Sequence, residues 1–206
     1  MCIRDRRSSE FDQEIEGVYV HLSSNYDIGA ISNTATYGAE TFETRSVSIR
    51  EGSTSNAAGV AQVERTSFPT RDFPITDVRQ TALFIQNESV LLSQRLRLTL
   101  GARYDDFEAD AMGDLVYFSG NPGTPLPADF EDSETTLSAS VFYQLTDSIS
   151  SFLRYSEGFR APPYDDVNVG FTNPIGGYKT ISNPNLESET SAVSYTHLRA
   201  HETSRN

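Results

Sequence analysis

Apolar and polar side chains alternate along two segments of the chain. In LRLTLGARYDD, residues 96–106, Leu98 and Leu100 fall on one face while Arg97 and Arg103 fall on the other. The run TLSASVFYQL further along the chain repeats this pattern. Because successive side chains of a strand point to opposite faces, both runs are predicted to form β-strands with one apolar and one polar side.

Weaker alternation predicts more strands, and prolines mark the connections between them. The further strands are expected at about 10–22, 30–50, 80–92 and 149–160, with another beginning near Glu189, which gives about seven in all. All nine prolines lie in segments that we interpret as long loops, because proline cannot donate to a strand ladder. These segments are 51–79, 111–133 and 161–188. Short turns are predicted at 23–29, 93–95 and 146–148.

The alternation of short turns with long loops favours one architecture. Outer-membrane barrels have tight turns on one rim and long extracellular loops on the other, with apolar residues facing lipid. We therefore predict an all-β fold, an antiparallel meander of about seven strands that forms part of a large transmembrane β-barrel. The outer face should carry Leu98, Leu100, Val141 and Leu153, and the other face Arg97, Arg103 and Arg154. A secreted soluble β-sandwich that binds carbohydrate or protein is the alternative, since its polar faces would be solvated.

Composition and the two ends of the chain narrow the possible functions. The 206 residues include 29 acidic and 16 basic ones, and a net charge of -13 argues against nucleic acid and against an anionic membrane surface as partners. The ends MCIRDR and SYTHLRAHETSRN resemble translated sequencing adapters. We therefore interpret 1–7 and 193–206 as artefacts around a natural segment, 8–192. That segment has no cysteine and one histidine, His21, so no metal site is predicted.

The stretch SEGFRAPPYDD ends a predicted strand abruptly. It contains the box FRAP, which consists of Phe159, Arg160, Ala161 and Pro162. We expect Phe159 in the aromatic girdle at the membrane interface and Arg160 on the polar face, whereas Pro162 and Pro163 end the ladder. The chain returns at a second box, NPNL, which consists of Asn183, Pro184, Asn185 and Leu186. We interpret the two boxes as the borders of one extracellular loop.

Taken with LGARYDD upstream and ESETS downstream, the two boxes resemble those of TonB-dependent outer-membrane receptors of the haem and haemoglobin branch. The resemblance covers most of residues 10–192. It implies a barrel of roughly 22 strands in the bacterial outer membrane, with an N-terminal plug domain through which the TonB complex acts. It further implies import of an iron compound, either haem, a haem protein or a ferric siderophore. On this interpretation the chain is a barrel fragment without the plug.

The loop between the two boxes holds the candidate ligand-binding residues. Relatives in the haem branch commonly carry a histidine there, but residues 163–182 contain none. Tyrosine can also bind haem iron, so Tyr164 and Tyr178 are candidates. We favour Tyr178 because it follows two glycines, whose freedom at positive φ suits a projecting loop tip. The predicted substrate contacts are Tyr164, Asp165, Asp166, Asn168 and Tyr178, with haem as a transported ligand and no permanently bound cofactor.

Adjacent aspartates offer an enzymatic interpretation. Asp105 with Asp106, and Asp165 with Asp166, could supply paired carboxylates. However, adjacent strand residues point to opposite faces, and the carboxylates of a glycosidase must lie about 5 to 10 Å apart across one substrate. Acidic loop rims explain these pairs better, so no enzymatic activity is predicted.

Overall fold

A computed structural model describes residues 3–63, 67–173 and 176–200 of the chain. Strands dominate the described residues, and two short helices lie in the connections. In chain order the elements are β1 (Ile3–Ile28), β2 (Ile31–Asn56), β3 (Ile75–Leu91), β4 (Leu96–Met112), α1 (Leu115–Gly120), β5 (Phe130–Gln144), β6 (Ile149–Arg160), α2 (Tyr164–Asn168), β7 (Thr172–Asn173), β8 (Tyr178–Lys179) and β9 (Glu189–Ala200).

Seven strands form one antiparallel sheet in the order β1-β2-β3-β4-β5-β6-β9. Each of the first six pairs with its neighbour in sequence, and β9 pairs with β6 after the long connection that contains α2 and the small β7–β8 hairpin. This order confirms the predicted seven-stranded meander. The sandwich alternative is wrong, because the described residues form a single large sheet and the two-residue strands β7 and β8 are too short to be a second layer.

The strand register sorts the side chains into an apolar and a polar face. Leu98 lies opposite Val141, and Val141 lies opposite Leu153, so these three side chains share one face. Arg154 lies opposite Ser140, and Ser140 lies opposite Thr99, which stands on the same face as Arg97 and Arg103. The predicted separation of leucines and arginines is therefore confirmed.

The apolar face is exposed rather than covered. Leu100 is 65% exposed although it lies in the middle strand of the sheet, and its neighbours on this face are exposed too. The exposed apolar residues on this face include Val18, Val20, Leu22, Leu83, Ile85, Leu137 and Leu153. Such a continuous exposed band is what a barrel wall presents to lipid. Among the described residues, no helix is long and apolar enough to span a membrane.

The turn end of the sheet, where β1 meets β2, differs from the prediction in length. A turn over 23–29 was expected, but the ladder continues to the pair Ile28 and Ile31, and the turn consists of Gly29 and Ala30. Side-chain pairing supports the extra rungs, since Thr34 Oγ1 donates to Asn25 Oδ1 at 2.9 Å. Gly29 has φ +63°, a left-handed conformation that favours glycine in such a tight turn.

The strands also extend further than predicted at the loop end, the opposite end of the sheet. β2 continues to Asn56, β3 already begins at Ile75, and β4 continues to Met112. Ion pairs with β2 join the extra residues of β3 to the sheet: Asp77 to Arg45 at 2.8 Å, and Arg79 to Glu43 at 3.0 Å. The three long connections are therefore 57–74, 113–129 and 161–188, shorter than or equal to the predicted loops.

Candidate ligand-binding cavity

A cavity of about 780 Å³ lies on the polar face at the loop end of the sheet. One wall is formed by polar-face residues of β2, β3 and β4, among them Glu40, Gln80 and Arg103. The other wall is the segment 159–164, which contains the FRAP box and the first residue of α2. The predicted loop border and the polar face of the sheet thus meet at one concave site, the kind of place where ligands bind.

The FRAP box lines this cavity in a way that differs partly from expectation. The girdle position expected for Phe159 is wrong, because its ring packs against the buried cluster of Val78 and Phe107, and Phe107 stands on the polar face with Arg103. Ala161 packs on the same cluster, and Pro162 is buried. Arg160 is exposed and lies 3.9 Å from the carboxylate of Glu189. The ladder of β6 ends at Arg160, as the two prolines predict.

The NPNL box forms a turn at the far end of the same connection. The backbone N–H of Leu186 donates to Asn183 O at 3.3 Å, and that of Asn185 donates to Asn183 Oδ1 at 3.3 Å. Pro184 is exposed and Leu186 is half-buried. Because β6 ends just before this connection and β9 begins just after it, the two boxes border one loop, as predicted.

Tyr164 is the only predicted substrate-contact residue that lines the cavity. Its ring meets Phe73 edge-on with the ring centroids 5.7 Å apart, and it packs against the Val78 and Phe107 cluster. Its hydroxyl makes no hydrogen bond with any described residue, so the phenol oxygen is free to meet a ligand. Asp165 and Asp166 follow on the exposed first turn of α2, outside the cavity lining.

The other two predicted contacts lie in different surroundings. Tyr178 is 56% exposed on β8, with its ring 5.9 Å from that of Phe171, and Gly177 before it has φ +70°. Asn168 is only 4% exposed. Its Oδ1 accepts from Ala128 N and its Nδ2 donates to Ala128 O, both at 2.8 Å. The Asn168 amide is therefore buried and satisfied by Ala128, so it offers no free group to a ligand in this structure.

The cavity wall is rich in paired charges. The Arg103 guanidinium donates to Glu40 and to both carboxylate oxygens of Asp105, at 2.9 and 3.0 Å for the latter. Asp106 and Glu157 also line the cavity, so it has four carboxylates against the two guanidiniums of Arg103 and Arg160. Arg103 is neutralised by its partners. The described wall therefore presents net negative charge and no free guanidinium apart from the loosely paired Arg160.

The remaining polar residues of the predicted site do not assemble into a metal centre. Among the residues that the structure describes, no three His, Cys, Asp or Glu side chains come together as metal ligands. His21 lies on the polar face, with Nε2 3.8 Å from Glu40 Oε2 and its ring edge-on to Phe84. This position matches the predicted alternation and places His21 beside the Arg103 charge network.

Sequence reasoning missed a buried network that joins the three long loops. Arg71 donates to Asp114 at 3.0 Å and to Ser48 O at 2.6 Å, while Asn121 Nδ2 donates to Arg71 O at 2.7 Å. Tyr117 Oη donates to Asn168 O at 2.9 Å. We call this network the loop clamp, and it comprises Arg71, Asp114, Tyr117, Asn121 and Asn168.

Part of the loop clamp had a signal in the sequence. Asp114 precedes the apolar residues of α1, and its side chain accepts from Tyr117 N at 2.8 Å, the arrangement of a helix N-cap. That pattern predicts where α1 begins. It does not predict the partner of the Tyr117 hydroxyl, which lies 51 residues away. Burial raises the pKa of the Tyr117 phenol, because the charged form would be desolvated.

Comparison with known proteins agrees with this architecture. Residues 4–192 match the family described as TonB dependent receptor-like, beta-barrel. A hemin receptor from Yersinia enterocolitica is 27% identical over 136 residues, which are 63% of this chain and 18% of that protein. The ferric preacinetobactin receptor BauA from Acinetobacter baumannii has the same fold, with a TM-score of 0.58 and 14% identity over 95% of this chain and 27% of that one.

The family match begins close to the start of β1 and ends within β9, so it includes every strand of the large sheet. The chain spans about a fifth to a quarter of the length of the two relatives, 18% and 27%. The division into 1–7, 8–192 and 193–206 stays a prediction. The exposed apolar face, the polar face with its cavity and the match over residues 4–192 lead to one conclusion: the chain belongs to the TonB-dependent receptor β-barrel family.

Proposed function

We propose that the complete receptor containing this segment binds a ferric compound from outside the cell and carries it across the bacterial outer membrane. The observation that carries this proposal is the cavity of about 780 Å³ at the loop end of the sheet, with the free phenol of Tyr164 in its wall. The sheet supports a membrane location, because its apolar face is exposed over a continuous band that includes Leu83 and Leu100.

Haem or a haem protein is our first candidate for the transported ligand. The related protein from Yersinia enterocolitica is named a hemin receptor, and phenolate oxygen is a ligand that haem iron accepts. In the described loop two phenols lack a hydrogen-bonding partner, those of Tyr164 and Tyr178. Tyr164 faces the cavity, whereas Tyr178 is exposed on β8 and suits a first encounter at the surface. A ferric siderophore is the second candidate.

The proposal includes partners outside this segment. Transport of a bulky ligand needs a plug that opens, and the family implies that the plug is moved by the TonB complex of the inner membrane. The rest of the complete barrel would supply the other side of the lumen, opposite the wall described here. Since family members are transporters, we assign transport rather than catalysis to the complete protein.

Titration of the complete receptor with hemin in detergent tests the proposal. We expect a saturable Soret shift and a charge-transfer band, both of which should be lost in the Tyr164→Phe, Tyr178→Phe double variant. Each single variant keeps the ring and removes only the oxygen, so the pair reports which phenol binds iron. Tyr143→Phe on the apolar face is the matched control and should bind as the parent does.

The possible outcomes distinguish three claims: the class of ligand, the source of the iron ligand and the receptor function itself. Binding of a ferric siderophore without binding of hemin would remove haem as the ligand and leave the receptor function standing. An unaltered hemin spectrum in the double variant would rule out this loop as the source of the iron ligand. Failure to bind either class of ferric compound would overturn the proposed function.

A further inference from the structure

The segment that forms one wall of the cavity receives little support from the strand ladder. β5 and β6 pair only as far as Ser138 and Ser156, although β5 continues toward the loops alongside β4. Beyond that rung β6 is paired on one side alone, with β9. Of the cavity-lining residues 159–164, the first two lie in this single-sided stretch and 161–164 follow it. Residues 161–164 are therefore positioned by contacts outside the ladder, namely the packing of Ala161 and Tyr164 on the buried Val78 and Phe107 cluster and the contacts made by α2.

The loop clamp supplies contacts at the other end of α2. Asn168, the last residue of α2, makes two hydrogen bonds of 2.8 Å to Ala128 in the connection 113–129. Its carbonyl oxygen accepts from Tyr117, which is 1% exposed. Two residues later, Gly170 N donates to Asp72 O at 2.7 Å in the connection 57–74. Residues of both other long connections thus bind the chain at the C-terminal end of α2.

Because α2 is only one turn long, the position of Asn168 at its end also determines the position of Tyr164 at the cavity. It consists of a single turn from Tyr164 to Asn168, in which Val167 N donates to Pro163 O at 3.2 Å. Val167 is 2% exposed, so the turn is packed on its inner side. A displacement of Asn168 would therefore displace Tyr164 as well, because one closed helical turn connects them.

Glycine allows the loops to approach this closely. A side chain on Gly120 would collide with Thr70, and one on Gly170 would lie 2.9 Å from the Tyr117 hydroxyl. These contacts join the end of α1 to the connection 57–74, and Tyr117 to the connection 161–188. The described parts of the three long loops thus form one packed unit.

We propose that Asn168 is a positioning residue for ligand binding: through α2 it holds the Tyr164 phenol and the FRAP segment at the cavity wall. Asn168 does not itself touch the ligand. The part of this proposal that concerns hemin binding rests on the proposed function. The Asn168 amide affects binding only indirectly, because it fixes the position of Tyr164. Tyr117 shares this role through its hydrogen bond to the Asn168 carbonyl.

Hemin binding by variants of the complete receptor tests this role. Asn168→Ala leaves the Ala128 backbone groups without partners, so we expect roughly tenfold weaker hemin binding, with the amount of assembled barrel unchanged. Tyr117→Phe removes one hydroxyl and keeps the buried ring, so it should fold even if Asn168→Ala does not, and should weaken binding less. Asn25→Ala removes a side-chain hydrogen bond at the turn end and should leave binding unchanged.

A double-mutant cycle distinguishes positioning from a general loss of stability. If Asn168 acts through Tyr164, then adding Asn168→Ala to Tyr164→Phe should cost much less affinity than Asn168→Ala costs alone. The same addition to Tyr178→Phe should cost the full amount. Equal and additive losses in both cycles would overturn the proposal, and so would parent-like hemin affinity in both Asn168→Ala and Tyr117→Phe.

Hydrogen exchange keeps the test independent of the ligand. Asn168→Ala should speed exchange in peptides covering 159–164, without a change in the β1–β2 hairpin. If the parent receptor binds no ferric compound, the proposed function fails, but this exchange result still decides whether Asn168 positions the cavity wall. Unchanged exchange over 159–164 would overturn the positioning role whatever the ligand.

Discussion

The turn end and the loop end of the sheet are held together by different kinds of contact. At the turn end, contacts close the short turns or join neighbouring strands: Gly29 adopts φ +63°, Thr146 Oγ1 accepts from the N–H groups of Ser148 and Ile149, and Ser89 Oγ on β3 donates to Asn33 Oδ1 on β2 at 2.6 Å. At the loop end, the contacts lie outside the strand ladder and join one long connection to another, as Asn168 joins Ala128 and Tyr117.

This difference suits the two ends to different tasks. Tight turns fix the strand register and leave few groups for recognition. The long loops bury polar and aromatic side chains among themselves, which gives them a packed interior that an ordinary surface loop lacks. The loop end can therefore hold a binding wall in place, with Tyr164 in the cavity lining and Tyr178 exposed on β8.

The largest effect is expected at the centre of the loop clamp. Tyr117→Ala should destabilise the loop unit by about 3–5 kcal/mol, because it leaves a cavity and strips Asn168 O of its donor. Native-state hydrogen exchange over 113–129 and 161–188 measures this loss. Tyr178→Ala, a truncation of the same residue type at an exposed site, should change it little. Similar losses for both would contradict a packed loop interior.

Two exposed leucines test whether the sheet and the loops face different solvents. Leu100, 65% exposed on the apolar face, and Leu115, 89% exposed at the start of α1, differ in where they lie rather than in type. Leu100→Arg should destabilise the assembled barrel by about 2–4 kcal/mol if this face meets the membrane midplane, whereas Leu115→Arg should be neutral. Unfolding in lipid vesicles measures both. Equal tolerance at both positions would contradict a lipid-facing band.

The same contrast explains which parts of the structure the sequence predicts. Period-two alternation assigned Leu98 and Arg97 to opposite faces correctly, since a strand's side-chain direction depends only on position parity. Prolines located the long loops for an equally local reason. The extra rungs of β3 and β4 were missed because charged residues such as Arg79 and Glu108 interrupt the apolar pattern, although the ion pair between these two residues joins the strands.

The candidate site was predictable only in part. The FRAP box was placed at the end of a strand correctly. Tyr164 was chosen as a candidate because it is a tyrosine, and it lines the cavity. Asn168 was predicted as a ligand contact, and nothing nearby in the sequence reveals that Ala128 occupies its amide. Phe159 was assigned to the lipid girdle because alternation does not account for β6 losing its pairing with β5.

A smaller effect is expected from two glycines with similar backbone conformations at opposite ends. Gly29 has φ +63° and Gly123 has φ +76°, and a side chain on either would meet no atom within 4 Å. Each change to alanine should therefore cost about 1–2 kcal/mol through backbone strain alone. Gly29→Ala should speed hydrogen exchange in the β1–β2 hairpin, and Gly123→Ala in the loop unit. Spread of either effect to the opposite end would contradict their independence.

The smallest effect is a pH dependence confined to the loop end. Because burial raises the pKa of Tyr117 above its ordinary value near 10, the folded loop unit holds the phenol proton more tightly than the unfolded one. Below that ordinary value both states are protonated and stability does not change. As pH rises above it, the unfolded phenol ionises first, so the stability of the loop unit falls until the folded pKa is reached. A spin label on Leu126→Cys, an exposed loop position, should gain mobility above about pH 10 in the parent and not in Tyr117→Phe. An identical alkaline response in both proteins would show that another group, not the buried phenol of the clamp, controls the loop end.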